Sequence, residues 1–223
     1  MKCLLCENPD SARFKVTKKP ERSYFHCDHC DLIFMAPEER MTAVEEKARY
    51  DFHQNEDQAG YRAFLSPLMK DVEEYAAKSG KAPSELQLLD YGCGPTAFLG
   101  ACFVAKDYQV TNYDLYYQPD QDALKKTYNI VTSTEVWEHL QNPKIDIEQQ
   151  LRMLKNGGIL AVMTSAHKGE AHFHDWHYRR DLTHVSFFSE KTMQWFAQKY
   201  NLKTVKAKSP YWVFKKVAPT PPV

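Results

Sequence analysis

The stretch from Leu88 to Ala97 reads Leu-Leu-Asp-Tyr-Gly-Cys-Gly-Pro-Thr-Ala, an apolar run that enters a glycine turn and leaves it as a helix. A strand feeding such a turn belongs at the ligand edge of an open α/β sheet. There Gly92 and Gly94, lacking a Cβ, let a nucleotide-like molecule approach bare backbone. Twenty residues past Gly94, Asp114 ends the next apolar run, Tyr108 to Tyr113, where a carboxylate can accept both hydroxyls of a ribose. The turn alone is ambiguous, because Gly92-x-Gly94-x-x-Ala97 followed by that acid also fits a dinucleotide fingerprint.

From Leu86 onward strand and helix patterns alternate. Strands are expected over 86–91, 108–114, 128–133 and 159–164, with helices over 96–105 and 145–154. A helix over 190–200 and two closing strands, 202–207 and 211–217, follow. The fold class is therefore α/β, a Rossmann-like, doubly wound and mostly parallel sheet. Upstream, Tyr61, Phe64, Leu65, Leu68, Val72 and Tyr75 recur at helical spacing, and Ser79-Gly80-Lys81-Ala82-Pro83 ends that helix. The expected division is a zinc-ribbon module over 1–36, a helical linker or lid over 37–84, the main domain over 85–217 and a disordered tail over 218–223.

Cys3-x-x-Cys6 and Cys27-x-x-Cys30 are two knuckles, each able to set a pair of thiolates on one side of a tight loop. Together they complete a tetrahedron around a structural Zn2+, with no open position for water. His26 and His29 are expected at the surface, and Cys93 and Cys102 as ordinary small buried residues. Acidic and basic side chains balance at 29 each, so no global field recruits nucleic acid or an anionic membrane. Without an apolar run long enough to span a bilayer or a signal-peptide core at Met1-Lys-Cys-Leu-Leu-Cys6, the expected location is the reducing cytoplasm.

Two later segments separate the cofactor readings. Ile130 to Pro143, Ile-Val-Thr-Ser-Thr-Glu-Val-Trp-Glu-His-Leu-Gln-Asn-Pro, carries a strand into an acidic-aromatic turn, and Leu154-Lys-Asn-Gly-Gly-Ile-Leu-Ala-Val joins a helix end to another strand. Together with Asp90-Tyr-Gly-Cys-Gly94, over roughly residues 85–215, these resemble the class I S-adenosylmethionine-dependent methyltransferases. The resemblance implies that Asp90 helps hold the methionine end of S-adenosylmethionine, that Gly92 and Gly94 pack beneath it, and that Asp114 takes the ribose. It places Ser133, Thr134 and Glu135 beside the methionyl moiety and the transferring methyl. Two features depart from the family. Thr96 or Ala97 replaces a frequent third glycine, and only about fourteen residues separate Asp114 from Tyr128, so the usual third strand is shortened or absent. Asp120 and Asp122 are weak candidates for its adenine contact.

The run Glu135-Val-Trp-Glu138-His139 lacks the histidine pair of a zinc protease helix, and His139 reads as a local cap or packing residue. Five of the nine histidines fall between His167 and His184, after the fifth strand position of the family. Three readings stay open for this insertion: an acceptor-binding and acid–base flap, a solvated loop, or a second metal site on His172, His174 and His177. In the first, His184, within a His-x-x-x-Phe-Ser pattern that such methyltransferases share, is the base. His177 and Tyr178 complete the catalytic set, Asp175 and Arg179 line the acceptor, Asp181 orients a histidine or pairs with Arg180, and Trp176 and Phe187 cover the substrate. The expected function is methyl transfer to a small-molecule acceptor, sugar- or quinone-like. One alternative is RNA methylation with the zinc module as grip, disfavoured because residues 1–36 hold six Lys/Arg against five Asp/Glu. The other is a non-catalytic zinc-ribbon adaptor on a degenerate fold.

Overall fold

Leu88 and Leu89, Ile130 and Val131, and Ile159 and Leu160 are sequence neighbours that fall into different apolar cores. Such period-two alternation with both faces apolar requires a sheet covered on both sides. The computed structural model describes residues 1–51 and 58–218. Its first elements are β1 (Ala12–Val16), β2 (Arg22–His26), β3 (Ile33–Met35), α1 (Ala43–Asp51), α2 (Gln58–Ser79), β4 (Gln87–Tyr91), α3 (Phe98–Val104) and β5 (Gln109–Tyr113). There follow β6 (Tyr128–Thr134), α4 (Pro143–Met153), β7 (Leu154–Met163), β8 (Ala166–His167), α5 (Glu170–Phe173), β9 (Ser186–Ser189), α6 (Glu190–Lys199), β10 (Leu202–Lys208) and β11 (Tyr211–Lys216). The expected tail, from residue 219 on, lies outside the described residues.

The main sheet runs β10-β11-β7-β6-β4-β5. Its pairs β4–β5, β4–β6 and β6–β7 are parallel, whereas β11 is antiparallel to both β7 and β10. One face is covered by α2 and α3 through Leu65, Leu68, Val72, Leu99 and Phe103; the other by α4 and α6 through Ile147, Leu151, Met193 and Phe196. The anticipated α2 stripe is thus its buried face, except that Phe64 is half exposed. Among the described residues no strand lies beyond β5, in keeping with the short link from Asp114 to Tyr128. That chain instead closes on itself through an Asp114–Gln118 bridge.

A second sheet, β1-β2-β3-β9-β8, joins the N-terminal knuckles to the histidine-rich insertion, with Ile33 opposite Phe187 and Phe34 opposite Ser186. This departs from the expectation that Trp176 and Phe187 cover the substrate. Phe173, Trp176, Val185 and Phe187 are buried against Val16, Tyr24, Ile33 and Met35 in a core of their own. The three-stranded N-terminal ribbon exposes an apolar face that it cannot cover alone, and the insertion's apolar residues cover it. Arg179 is locked into the same joint. Its guanidinium, 1% exposed, donates to the carbonyls of Lys18, Pro20, Phe173 and His174 at 2.9–3.2 Å, so it ties the insertion to the β1–β2 connection.

Candidate active site

The turn after β4 takes its shape from two left-handed glycines. Gly92 has φ +78°, its N–H donates to the Tyr113 carbonyl at 2.7 Å, and a Cβ there would meet Val136 Cγ2 at 2.3 Å. Gly94, at φ +66°, has nothing within 4 Å of the position a Cβ would take, because that position opens into a cleft. The Gly94 N–H donates to Asp114 Oδ2 at 3.0 Å, and Asp114 Oδ1 accepts from the N–H groups of Tyr116 and Tyr117. The carboxylate ending β5 therefore braces both the glycine turn and the loop that follows it.

The cleft, about 1090 Å³, lies at the carboxyl ends of β4, β5 and β6. Gly92, Gly94, Asp114, Thr134, Glu135 and His184 all line it, so six of the residues singled out from sequence converge. Ser133 is fully buried beside them with its Oγ unpartnered. Asp90 lies beneath the lining, 1% exposed, accepting from Thr132 Oγ1 at 2.9 Å; burial raises its pKa to about 6. Asp120 and Asp122 are exposed and outside the lining.

Of the insertion residues, Asp181, Thr183 and His184 reach the cleft, and His177, which is exposed, does not. Tyr178 sits behind the wall, where its hydroxyl donates to Glu138. Asp175 is exposed and paired with Lys18, and Asp181 pairs with Arg49 of α1 at 3.0 Å rather than with Arg180. His172 packs against Trp176, the two rings tilted at 45° with their centres 5.5 Å apart. Among the described residues His172, His174 and His177 form no cluster of ligand geometry.

Much of the wall is not legible in the sequence. His139 is a lining residue, its ring 4.7 Å from that of His184, and burial pulls its pKa down to about 4. Glu135 has φ +54°, a left-handed conformation uncommon for a side-chain-bearing residue, which turns it off the end of β6. Burial first, then the neighbouring Glu138 charge, pushes its pKa up to about 9. Helix α1, capped by Thr42 through Glu45, contributes Glu46 and Tyr50, and the hydroxyls of Tyr50 and Tyr116 both donate to Glu46. Tyr61 and Phe64 of α2 complete that side. The cue in the sequence was the density of tyrosines around the glycine turn and Asp114, which periodicity alone does not convert into a pocket.

At the N-terminus the sulfurs of Cys3, Cys6, Cys27 and Cys30 lie within 4.8 Å of one another, with Cys3–Cys30 and Cys6–Cys27 each at 3.5 Å and none in a disulfide. The knuckles are built alike. Glu7 and Asp31, each one residue past the second cysteine, are left-handed and donate their N–H to the carbonyl of the first. His29 is exposed as expected. His26 is not: it bridges Asp31 and Glu170 at 2.9 and 2.8 Å, and the Asp31 carboxylate raises its pKa. Cys102 is buried as expected, whereas Cys93 lines the cleft.

A family profile described as a methyltransferase domain matches residues 60–207. No curated protein matches the sequence. Among solved structures, the backbone is similar to 1,6-didemethyltoxoflavin-N1-methyltransferase from Burkholderia thailandensis, determined with 1,6-didemethyltoxoflavin and S-adenosylhomocysteine bound. The two share 14% identity, with 92% of this chain and 99% of that chain covered and a TM-score of 0.54. The N-methyltransferase NodS of Bradyrhizobium japonicum is more distant, at 13% identity, 78% and 97% coverage and a TM-score of 0.49. Likeness at this identity establishes the fold. No helix among the described residues is long and apolar enough to cross a membrane.

Proposed function

We propose, from the premise that this chain belongs to the methyltransferase-domain family, that it moves the methyl group of S-adenosylmethionine to a small-molecule acceptor bound beside it in the same cleft. The supporting observation is the charge of the cleft wall. Glu46, Asp51, Asp114, Asp146 and Asp181 line it beside Glu135, whose raised pKa keeps it neutral near pH 7, and no Lys or Arg is among the described lining residues. That field suits a cationic sulfonium and opposes the pyrophosphate of a dinucleotide or the backbone of an RNA. The open space over Gly94 and the bracing of Asp114 fit the nucleoside, and the volume exceeds what one small ligand fills.

When bound, S-adenosylmethionine supplies an electrophilic carbon on a leaving group that is already good, so the protein's main task is alignment. In this reading Gly92 and Gly94 floor the cofactor, Asp114 accepts from its ribose, and Thr134 and Glu135, with Ser133 behind them, flank its methionine end. Asp90 acts one layer down, holding β4 to β6 through Thr132. The acceptor occupies the side walled by His139 and His184, with α1 and α2 as its cover. When neutral, His184 donates from Nδ1 to the Tyr178 carbonyl at 2.7 Å, which leaves Nε2 as the ring's acceptor and makes His184 the group that draws the acceptor's proton away. Tyr178 positions this wall rather than touching substrate.

The four thiols fit a structural Zn2+, since sulfurs spaced like these match the edges of a tetrahedron with bonds of about 2.3 Å. Zinc there would fasten the ribbon to which the insertion is docked. Calorimetric titration tests the cofactor assignment. The wild-type protein is expected to bind S-adenosylhomocysteine and to leave NADH unbound; the reverse preference would refute the proposal.

A further inference from the structure

We infer that Glu138, His139 and His184 form a divalent-cation site in the acceptor wall of the cleft. One ligand atom from each lies within 4.8 Å of the others, although 45 residues separate the two histidines. This inference deepens the methyl-transfer reading and, for its catalytic meaning, rests on it.

Glu138 is fully buried in the turn after β6. Tyr178 donates to one of its carboxylate oxygens and the other, Oε2, has no partner. A buried carboxylate oxygen left unpartnered is costly, and a cation removes that cost. Both rings are held in the manner of metal-ligating histidines. His139 Nδ1 lies 3.1 Å from the Thr183 carbonyl and His184 Nδ1 lies 2.7 Å from the Tyr178 carbonyl. A carbonyl can only accept, so each neutral ring carries its proton on Nδ1 and keeps the Nε2 lone pair for a ligand. Two imidazoles and one carboxylate on one side leave the remaining positions of a cation open for water or an acceptor oxygen.

The site is distinct from the four-cysteine cluster in chemistry. One carboxylate and two imidazoles suit Mn2+, Fe2+, Co2+ or Zn2+, whereas four thiolates select the softer ions. An acceptor hydroxyl coordinated there would lose its proton to solvent more readily. The oxygen lone pair then forms the new bond to the methyl carbon as the carbon–sulfur electron pair returns to sulfur. His184 would in that case act on the acceptor through the cation.

Mn2+ is the probe, because its spin reports occupancy and ligand type and the thiolate cluster does not favour it. Wild-type protein, freed of weakly held metal by brief EDTA treatment and dialysis, is expected to bind one Mn2+ by electron paramagnetic resonance, with spin-echo modulation from histidine nitrogen. Glu138→Gln and His184→Ala should each weaken Mn2+ binding at least about tenfold, while S-adenosylhomocysteine still binds and so reports an intact fold. Failure to bind Mn2+ at millimolar concentration, absence of nitrogen modulation, or unchanged binding in both variants would overturn the site. If a variant does not fold, the modulation in the wild-type protein decides alone. Mn2+ binding without S-adenosylhomocysteine binding would instead break the cofactor reading and leave the cation site standing.

Discussion

Cys27→Ser is expected to abolish zinc binding at the four-cysteine cluster and lower the thermal midpoint by roughly 10 °C, equivalent to about 3 kcal/mol or more for a chain of this size. The effect is large because the cluster is not an appendage. Cys3, Cys27 and Cys30 pack in one continuous core with Leu5, Phe25, Leu32 and Phe34, and through them with Trp137 and Phe188. Losing a thiolate also loosens β3, whose pairing with β9 carries the insertion and with it the His184 wall. The checks are zinc content by elemental analysis and a melting curve. Cys93→Ser, outside the cluster, should keep its zinc. A wild-type protein without zinc, or a Cys27→Ser protein that melts with the parent, would rule out a structural metal at the cluster.

Asp114→Ala is expected to weaken S-adenosylhomocysteine binding about 100-fold, or about 2.7 kcal/mol. Two losses combine. The ribose hydroxyls lose a charged acceptor, and the N–H groups of Gly94, Tyr116 and Tyr117 lose their common partner, so the turn beneath the nucleoside loosens. Asp114→Asn separates the two, because an amide oxygen still accepts but carries no charge; its affinity should fall between the others. Calorimetry that finds the alanine variant as tight as wild type would dismiss Asp114 as the ribose acceptor.

The parts of this protein legible in its sequence are those set by local backbone chemistry. Gly92 and Gly94 mark a turn that only residues tolerant of left-handed φ enter without strain, and the strand running into it follows from Leu88 and Leu89. The sheet is readable for the same reason, since each strand's alternation names both of its faces. That no strand lies beyond β5 among the described residues follows from the short count between Asp114 and Tyr128.

What stayed hidden depends on contacts between distant segments. Trp176 and Phe187 read as possible covers for a substrate because nothing local says that Tyr24 and Ile33 present an apolar face to them. His177 and His184 look equivalent in the sequence, yet a short helical turn sends the first to solvent and the docked strand β9 holds the second against the cleft. His139 reads as a local cap or packing residue because its partner in space lies on another segment. In the sequence nothing marks Glu138 out from the acid three residues before it, and only full burial with an unpartnered oxygen distinguishes it.

The most direct measurement is a crystal structure grown with S-adenosylhomocysteine. The nucleoside is expected over Gly92 and Gly94, with ribose hydroxyls within hydrogen-bonding distance of Asp114 and the sulfur facing the side walled by His139 and His184. A nucleoside seated elsewhere, or a ribose turned away from Asp114, would contradict it.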